Sequence, residues 1–234
     1  MNTNLRLRYG RQEPAVWLAH LDMMRTFERS VRRAGLPVAY SQGYNPRPQL
    51  SFALPIGVGL ATLDDYVDVM MTEPVDAKTA IQQLNRNLPK GLFIMDAQPV
   101  PEEGPSLMSL IAAADYEIRG EGLTEAIGVL LSLPPDTAWP AEKFSKGKKI
   151  DVDIRPLIMS MDLQAPNIIK IRVKAGSREN LRPDLLLQLL MRRCGLDPVM
   201  AGDAEITRLA LWIRPTPDAN LRRPFDLAAP LTVH

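Results

Sequence analysis

Hydrophobic and polar positions change period several times within the first hundred residues. Residues 5–9, LRLRY, alternate apolar and basic side chains, the period of a half-buried strand. From His20 the spacing lengthens. Leu21, Met24, Phe27 and Val31 fall three or four apart and predict an amphipathic helix, which Gly35 and Pro37 end. VAYS and LSFAL read as strands on either side of the loop SQGYNPRP. TLDDYVDVMM predicts a strand with Tyr66, Asp68 and Met70 on one side and Val67 and Val69 on the other. DAKTAIQQLNRNL predicts a helix opened by Asp76, and GLFIMDAQPV a closing strand. Strand, helix, strands, helix, strand is the split βαβ order, with two helices on one face of an antiparallel sheet.

PVPEEGPS, residues 99–106, reads as a linker, and the pattern then restarts. DYEIRG predicts a strand, LTEAIGVLLSL a helix, KKIDVDIRPLIMSMDL one or two strands, and NIIKIRVKAG another. RPDLLLQLLMRRCG predicts a helix with Leu186, Leu189 and Leu190 on one side, and EITRLALWI a last strand. The expected fold is α+β, two tandem ferredoxin-like halves over residues 1–100 and 107–213. The Pro- and Arg-rich residues 214–234 read as a flexible tail.

Composition narrows the chemistry. A 46% hydrophobic and 24% charged chain is globular, and no apolar run is long enough to span a membrane. MNTNLRLRYG has no apolar signal-peptide centre, so the expected setting is reducing and cytoplasmic. One cysteine, Cys194, excludes an internal disulfide and a cysteine-bound cluster, and two histidines leave little for a metal site. Cys194 follows Arg192 and Arg193 at a helix C-terminus, where the dipole disfavours a thiolate. No cofactor or metal is expected in this chain.

The net charge of +1 hides local asymmetry. Residues 1–50 hold eight arginines against three acids, a balance of +5; residues 143–193 hold twelve lysines and arginines against five acids, a balance of +7. Arg25, Arg29, Arg32 and Arg33 step along one helix, an alignment that suits a phosphodiester backbone because each planar fork grips two phosphate oxygens. Arg6 and Arg8 share one side of the first strand and extend that patch. The competing reading is a solvated helix face with Glu28 paired to Arg32. In the loop, Tyr44 offers a stacking platform, Asn45 and Arg47 offer hydrogen bonds, Gly43 permits positive φ, and Pro46 and Pro48 stiffen the segment. A rigid turn serving only to position LSFAL is the alternative. Lys146, Lys148 and Lys149 around Gly147 form a second phosphate-contacting candidate, or else lysines that blunt a sheet edge. His20, ahead of the arginine helix, is the one candidate general acid or base, and equally a helix cap.

Several blocks carry a resemblance: LRLRYGR, then LAHLDMMRTFERSVRRAGLPVAYSQGYNPRPQLSFALPIGVG, YVDVMM, LNRNLPKGL and KKIDVDIRPLI. Together they resemble the bacterial radical-SAM-linked family, a domain of unknown function whose members are fused to, or encoded beside, a radical SAM protein. Where that family commonly has Phe-Asn-Pro-His-Pro, this chain has Tyr44-Asn45-Pro46-Arg47-Pro48. A radical SAM enzyme binds its cluster through a cysteine triplet, which this chain lacks. The resemblance therefore implies an accessory protein, with the iron–sulfur cluster and S-adenosylmethionine in a partner enzyme. The expectation from the sequence is a non-catalytic, RNA-binding or substrate-presenting partner with no membrane contact. Two alternatives stand beside it: a metal-independent RNA-processing or RNA-modifying enzyme using His20, and a protein-only adaptor.

Overall fold

The computed structural model of the chain describes residues 3–101, 104–145 and 147–227. They form two compact units, one from the described residues up to 112 and from 210 to 227, the other from those between 113 and 209. The class is α+β, with mostly antiparallel pairing.

In the first unit the order is β1 (Thr3–Arg11), α1 (His20–Arg33), β2 (Leu50–Phe52), β3 (Ala61–Met71), α2 (Ala77–Asn87), β4 (Leu92–Val100) and the short α3 (Leu107–Leu110). The strands lie β4-β1-β3, with β2 on β3, and every one of these ladders is antiparallel. Register sorts the side chains. Leu7 stands opposite Val67 and Arg6 opposite Asp68, so the period of two sends apolar and charged positions to opposite faces. The apolar face of Leu5, Leu7, Tyr9, Val67, Val69, Met71 and Ile94 packs with Met23, Phe27 and Val31 of α1 and with Ala80 and Leu84 of α2. Tyr9, Phe27 and Phe52 meet edge to face at its centre, with ring centroids 5.1–6.1 Å apart. Asp76 caps α2, its Oδ2 accepting from the Thr79 amide at 2.8 Å.

Two details depart from the expected pattern. The buried stripe of α1 runs through Met23, Phe27 and Val31, while Leu21 is exposed and Met24 only half buried. Met23 and Phe27, four apart, share the inner face with Thr26 and Ser30, small polar residues that let the helix sit close to the sheet. VAYS makes isolated bridges, Val38 to Met71 and Tyr40 to Pro48, where a regular strand was expected.

The second unit contains most of β5 (Ile111–Arg119), then α4 (Leu123–Ser132), β6 (Pro140–Ser145), β7 (Lys148–Asp153), β8 (Ile158–Ala165), β9 (Ile168–Lys174), α5 (Asp184–Arg193), α6 (Pro198–Gly202) and the first half of β10 (Glu205–Ile213). KKIDVDIRPLIMSMDL divides into two strands at a helical turn over Arg155–Leu157. β5, β9 and β8 pair side by side; β6 and β7 make a separate hairpin. Ile169, Ile171 and Val173 are buried, and Lys170, Arg172 and Lys174 alternate with them on the other face. Leu186, Leu189 and Leu190 of α5 are buried as their spacing predicted.

The domain boundaries differ from those expected. Ala210–Ile213 go with the first unit, and so do residues 214–227. Residues 214–227, read from composition as part of a flexible tail, turn back onto the polar face of the first sheet. Ile213 bridges to Arg222, Arg223 pairs with Asp64 at 2.5 Å, Arg6 donates to the Pro224 carbonyl at 2.9 Å, and Phe225 meets Tyr66 edge to face at 5.3 Å. A Pro- and Arg-rich segment is held here because the sheet face it covers carries the complementary acids. Residues 228–234 lie outside the described residues.

Candidate functional site

Helix α1 turns by about 100° per residue. Going round its exposed side, Met24, Glu28 and Leu21 come first, then Arg32 and Arg25, then Arg29, Asp22 and Arg33, and buried Thr26 borders the inner face beyond them. The arginines thus form a ridge with a groove on either flank. Arg25 pairs with Asp22 at 3.5 Å, an exposed contact worth little. Arg29 and Arg32 are exposed and have no ion pair or hydrogen bond among the described residues; Glu28 does not reach Arg32. Arg33 donates to the Asn87 carbonyl at 2.7 Å, so part of its guanidinium closes the C-terminal end of α2.

The loop is a hairpin. Ser41 N donates to Arg47 O at 2.9 Å, Gln49 N to Ala39 O at 2.9 Å, and Arg47 N to Ser41 Oγ at 3.1 Å. Its base is locked to β3 through Ala39 N to Met70 O at 2.8 Å and Met70 N to Gln49 O at 3.1 Å. Gly43 turns the tip at φ +128°, a conformation other residues avoid. Tyr44 and Asn45 at that tip are exposed, Tyr44 fully. Ser41, Arg47 and Gln49 line a groove of about 530 Å³ with Met24 and Glu28, so the hairpin base and one flank of α1 share a wall.

On the other flank of the ridge, Thr26, Arg29, Arg33 and Lys90 face Pro14, Ala15, Leu18 and Pro89 across a groove of about 440 Å³. Lys90 belongs to a turn whose sequence, Pro-Lys-Gly, signals a change of direction and nothing more. Its proximity to α1 is a tertiary fact that the sequence did not reveal.

The remaining candidates fall elsewhere. Arg6 is buried and forks onto Asp68 at 2.7 and 2.9 Å, so it serves the sheet and the returning C-terminal segment. Arg8 lies 3.7 Å from Asp64 on that same face, and its Nε has no hydrogen-bond partner among the described residues. Both belong to a buried polar cluster that the sequence reading missed. There, burial raises the Asp64 carboxyl, against the pull of Arg223, Tyr66, the Leu211 amide and Arg8. Burial and the Asp64 charge together push the Tyr66 phenol up. Lys148 and Lys149 are exposed on the β6–β7 hairpin of the second unit, where Glu142 takes Lys149 at 3.5 Å and Arg192 at 2.9 Å. Lys146 lies outside the described residues. Cys194 is buried, and burial raises its thiol pKa. Among the described residues no cluster of His, Cys, Asp and Glu could hold a metal ion, and no helix is long and apolar enough to cross a membrane.

His20 opens α1 and its half-buried ring meets Phe52 edge to face at 5.7 Å. Burial lowers its pKa from the ordinary 6.5 because it penalises the imidazolium. The folded chain therefore takes up this proton less readily than the unfolded chain, and stability falls as pH drops below about 6.5. Urea unfolding at about pH 7.5 and about pH 5.5 is expected to show that loss, with His20→Gln removing part of it. An identical loss in the variant would mean the ring is not the source.

The model of a family described as an uncharacterized protein conserved in bacteria (DUF2344) matches residues 4–183. No curated protein matches the chain.

Proposed function

We propose, for a chain that belongs to this uncharacterized bacterial family, a non-catalytic role: it binds RNA, or presents an RNA substrate, to a radical SAM modification enzyme. The observation that carries the reading is Tyr44. A fully exposed aromatic ring gains nothing for folding by burial, yet this one stands on a hairpin closed by backbone hydrogen bonds. Stiff support for an exposed ring suits stacking on an unpaired base. Asn45 beside it supplies hydrogen bonds, and Arg25, Arg29 and Arg32 supply charge for the backbone. Arg33 contributes with the part of its fork that Asn87 does not occupy, and Arg47 through the groove at the hairpin base. Lys148 and Lys149 remain auxiliary contacts in the second unit. The β4-β1-β3-β2 order of the first unit supports the ferredoxin-like form of this scaffold.

The radical SAM partner rests on the sequence resemblance, and the iron–sulfur cluster and S-adenosylmethionine are assigned to that partner. The test is fluorescence anisotropy with a short single-stranded RNA. Binding is expected to fall steeply with salt, and Tyr44→Ala to weaken it by about 1–3 kcal/mol with the circular dichroism unchanged. Absence of binding at low salt, or indifference to Tyr44→Ala, would count against the proposal. The two alternatives separate by turnover and by copurification. His20→Ala spares RNA binding here but abolishes turnover if the chain is an RNA-processing enzyme. A protein-only adaptor would copurify with its partner enzyme and lack RNA.

A further inference from the structure

We infer that the groove between Thr26, Arg29, Arg33 and Lys90 on one side and Pro14, Ala15, Leu18 and Pro89 on the other is a subsite for one phosphorylated nucleotide, its phosphate on the cations and its sugar and base along the apolar wall. The inference rests on the RNA reading above and assigns one nucleotide of that ligand to one place.

Three cations and a hydroxyl line this groove, and no carboxylate does. Some exposed arginines elsewhere pair with acids, as in Arg25–Asp22, Arg119–Glu117, Arg182–Asp184 and Arg192–Glu142. In the groove, Arg29 and Lys90 have no such partner among the described residues. Arg33 gives Nη2 to Asn87 O at 2.7 Å and to Ser30 Oγ at 3.5 Å, which leaves its other N–H groups for a ligand. Closing the C-terminus of α2 therefore explains one guanidinium, and among the described residues no acid pairs with the other two cations. An anion with several acceptor oxygens does.

Size and shape argue for more than a free anion. The volume of about 440 Å³ lies in the range of small-molecule sites, about 300–1,000 Å³. A bare phosphate would leave the wall of prolines, Ala15 and Leu18 uncovered, whereas a nucleotide has a planar face to lay against it. The wall is also fixed in advance. Gln12 N donates to Gly91 O at 2.8 Å, and the Arg11 guanidinium holds Leu18 O at 3.1 Å, so little ordering remains to be done on binding.

The experiment is calorimetric titration of the full-length chain at low salt with adenosine 5′-monophosphate, adenosine and inorganic phosphate. The monophosphate is expected to bind tighter than inorganic phosphate, and adenosine not to bind. Arg29→Gln and Lys90→Gln, both exposed positions, are each expected to weaken the monophosphate about tenfold, the scale of one charge-assisted hydrogen bond. Monophosphate binding no tighter than adenosine, or untouched by both substitutions, would overturn the subsite. Binding no tighter than inorganic phosphate would overturn the nucleotide assignment. RNA that binds through Tyr44 and ignores Arg29 and Lys90 would overturn the subsite and leave the RNA reading standing. Tight monophosphate binding by a chain that ignores RNA would support the subsite and remove the RNA reading.

Discussion

Arg11→Met is expected to cost about 3 kcal/mol or more of folding stability, the scale of several buried carbonyls losing their donor. Arg11 is fully buried at the end of β1. Its Nε and Nη2 donate to Leu60 O at 3.0 and 2.7 Å, its Nη1 to Leu18 O at 3.1 Å, and Nη2 also to Gly57 O. One planar fork thus ties the segment ahead of α1, whose only regular structure is a short 3-10 turn over Ala15–Trp17, to the segment ahead of β3. Methionine keeps the apolar stem and removes every donor. Lysine keeps the charge but offers no planar fork, so Arg11→Lys is expected to recover only a fraction. Urea unfolding reads the effect as a lower midpoint at unchanged slope. An Arg11→Met chain within about 1 kcal/mol of the parent would show that water replaces the guanidinium freely.

The same residue shows how far the sequence could be read. Arg11 entered the +5 balance of residues 1–50 as one more cation, with Arg6 and Arg33. All three turn out to hold backbone or carboxylate groups far along the chain: Arg6 with Asp68, Arg33 with Asn87, Arg11 with Leu60. Charge counting cannot separate a structural arginine from a binding one, because the difference lies in partners some fifty to sixty positions away. Local periodicity did better. The alternation of β1 and β3, the Asp76 cap of α2 and the leucine spacing of α5 are carried by neighbouring residues and appear as written. The stripe of α1 slipped from Leu21 and Met24 to Met23 because small Thr26 and Ser30 are buried there, which a hydrophobic pattern does not register. Tyr44 and Asn45 were legible as candidates because a turn between two short apolar runs exposes its tip wherever the rest of the chain goes. Lys90 and the returning segment at Arg223 were not, since only tertiary packing gives them their neighbours.

Gly91→Ala is expected to remove about 3 kcal/mol or more, and it links this scaffold to the groove beside it. Gly91 has φ +89°, and a Cβ there would stand 2.5 Å from Gln12 O and 2.8 Å from Ala15 N. Both obstacles are backbone atoms, so no rotamer change relieves them. Gly35 provides the internal control. It also has positive φ, at +67°, but a Cβ there meets nothing within 4 Å. Gly35→Ala should therefore show the conformational penalty alone, about 1 kcal/mol, and the excess in Gly91→Ala measures the steric term. For a chain of this size the Gly91 change corresponds to a fall of roughly 6–12 °C in Tm, against roughly 2–4 °C for Gly35. The clash can be relieved only by moving residues 12–15 away from residue 91, and Pro14 and Ala15 are part of the groove's apolar wall. Gly91→Ala is thus expected to weaken adenosine 5′-monophosphate at temperatures where the variant is still folded, while Gly35→Ala leaves it alone. Equal destabilisation by the two substitutions would mean that the segments around Gln12 and Gly91 yield easily, and that the wall is not the fixed surface the nucleotide needs.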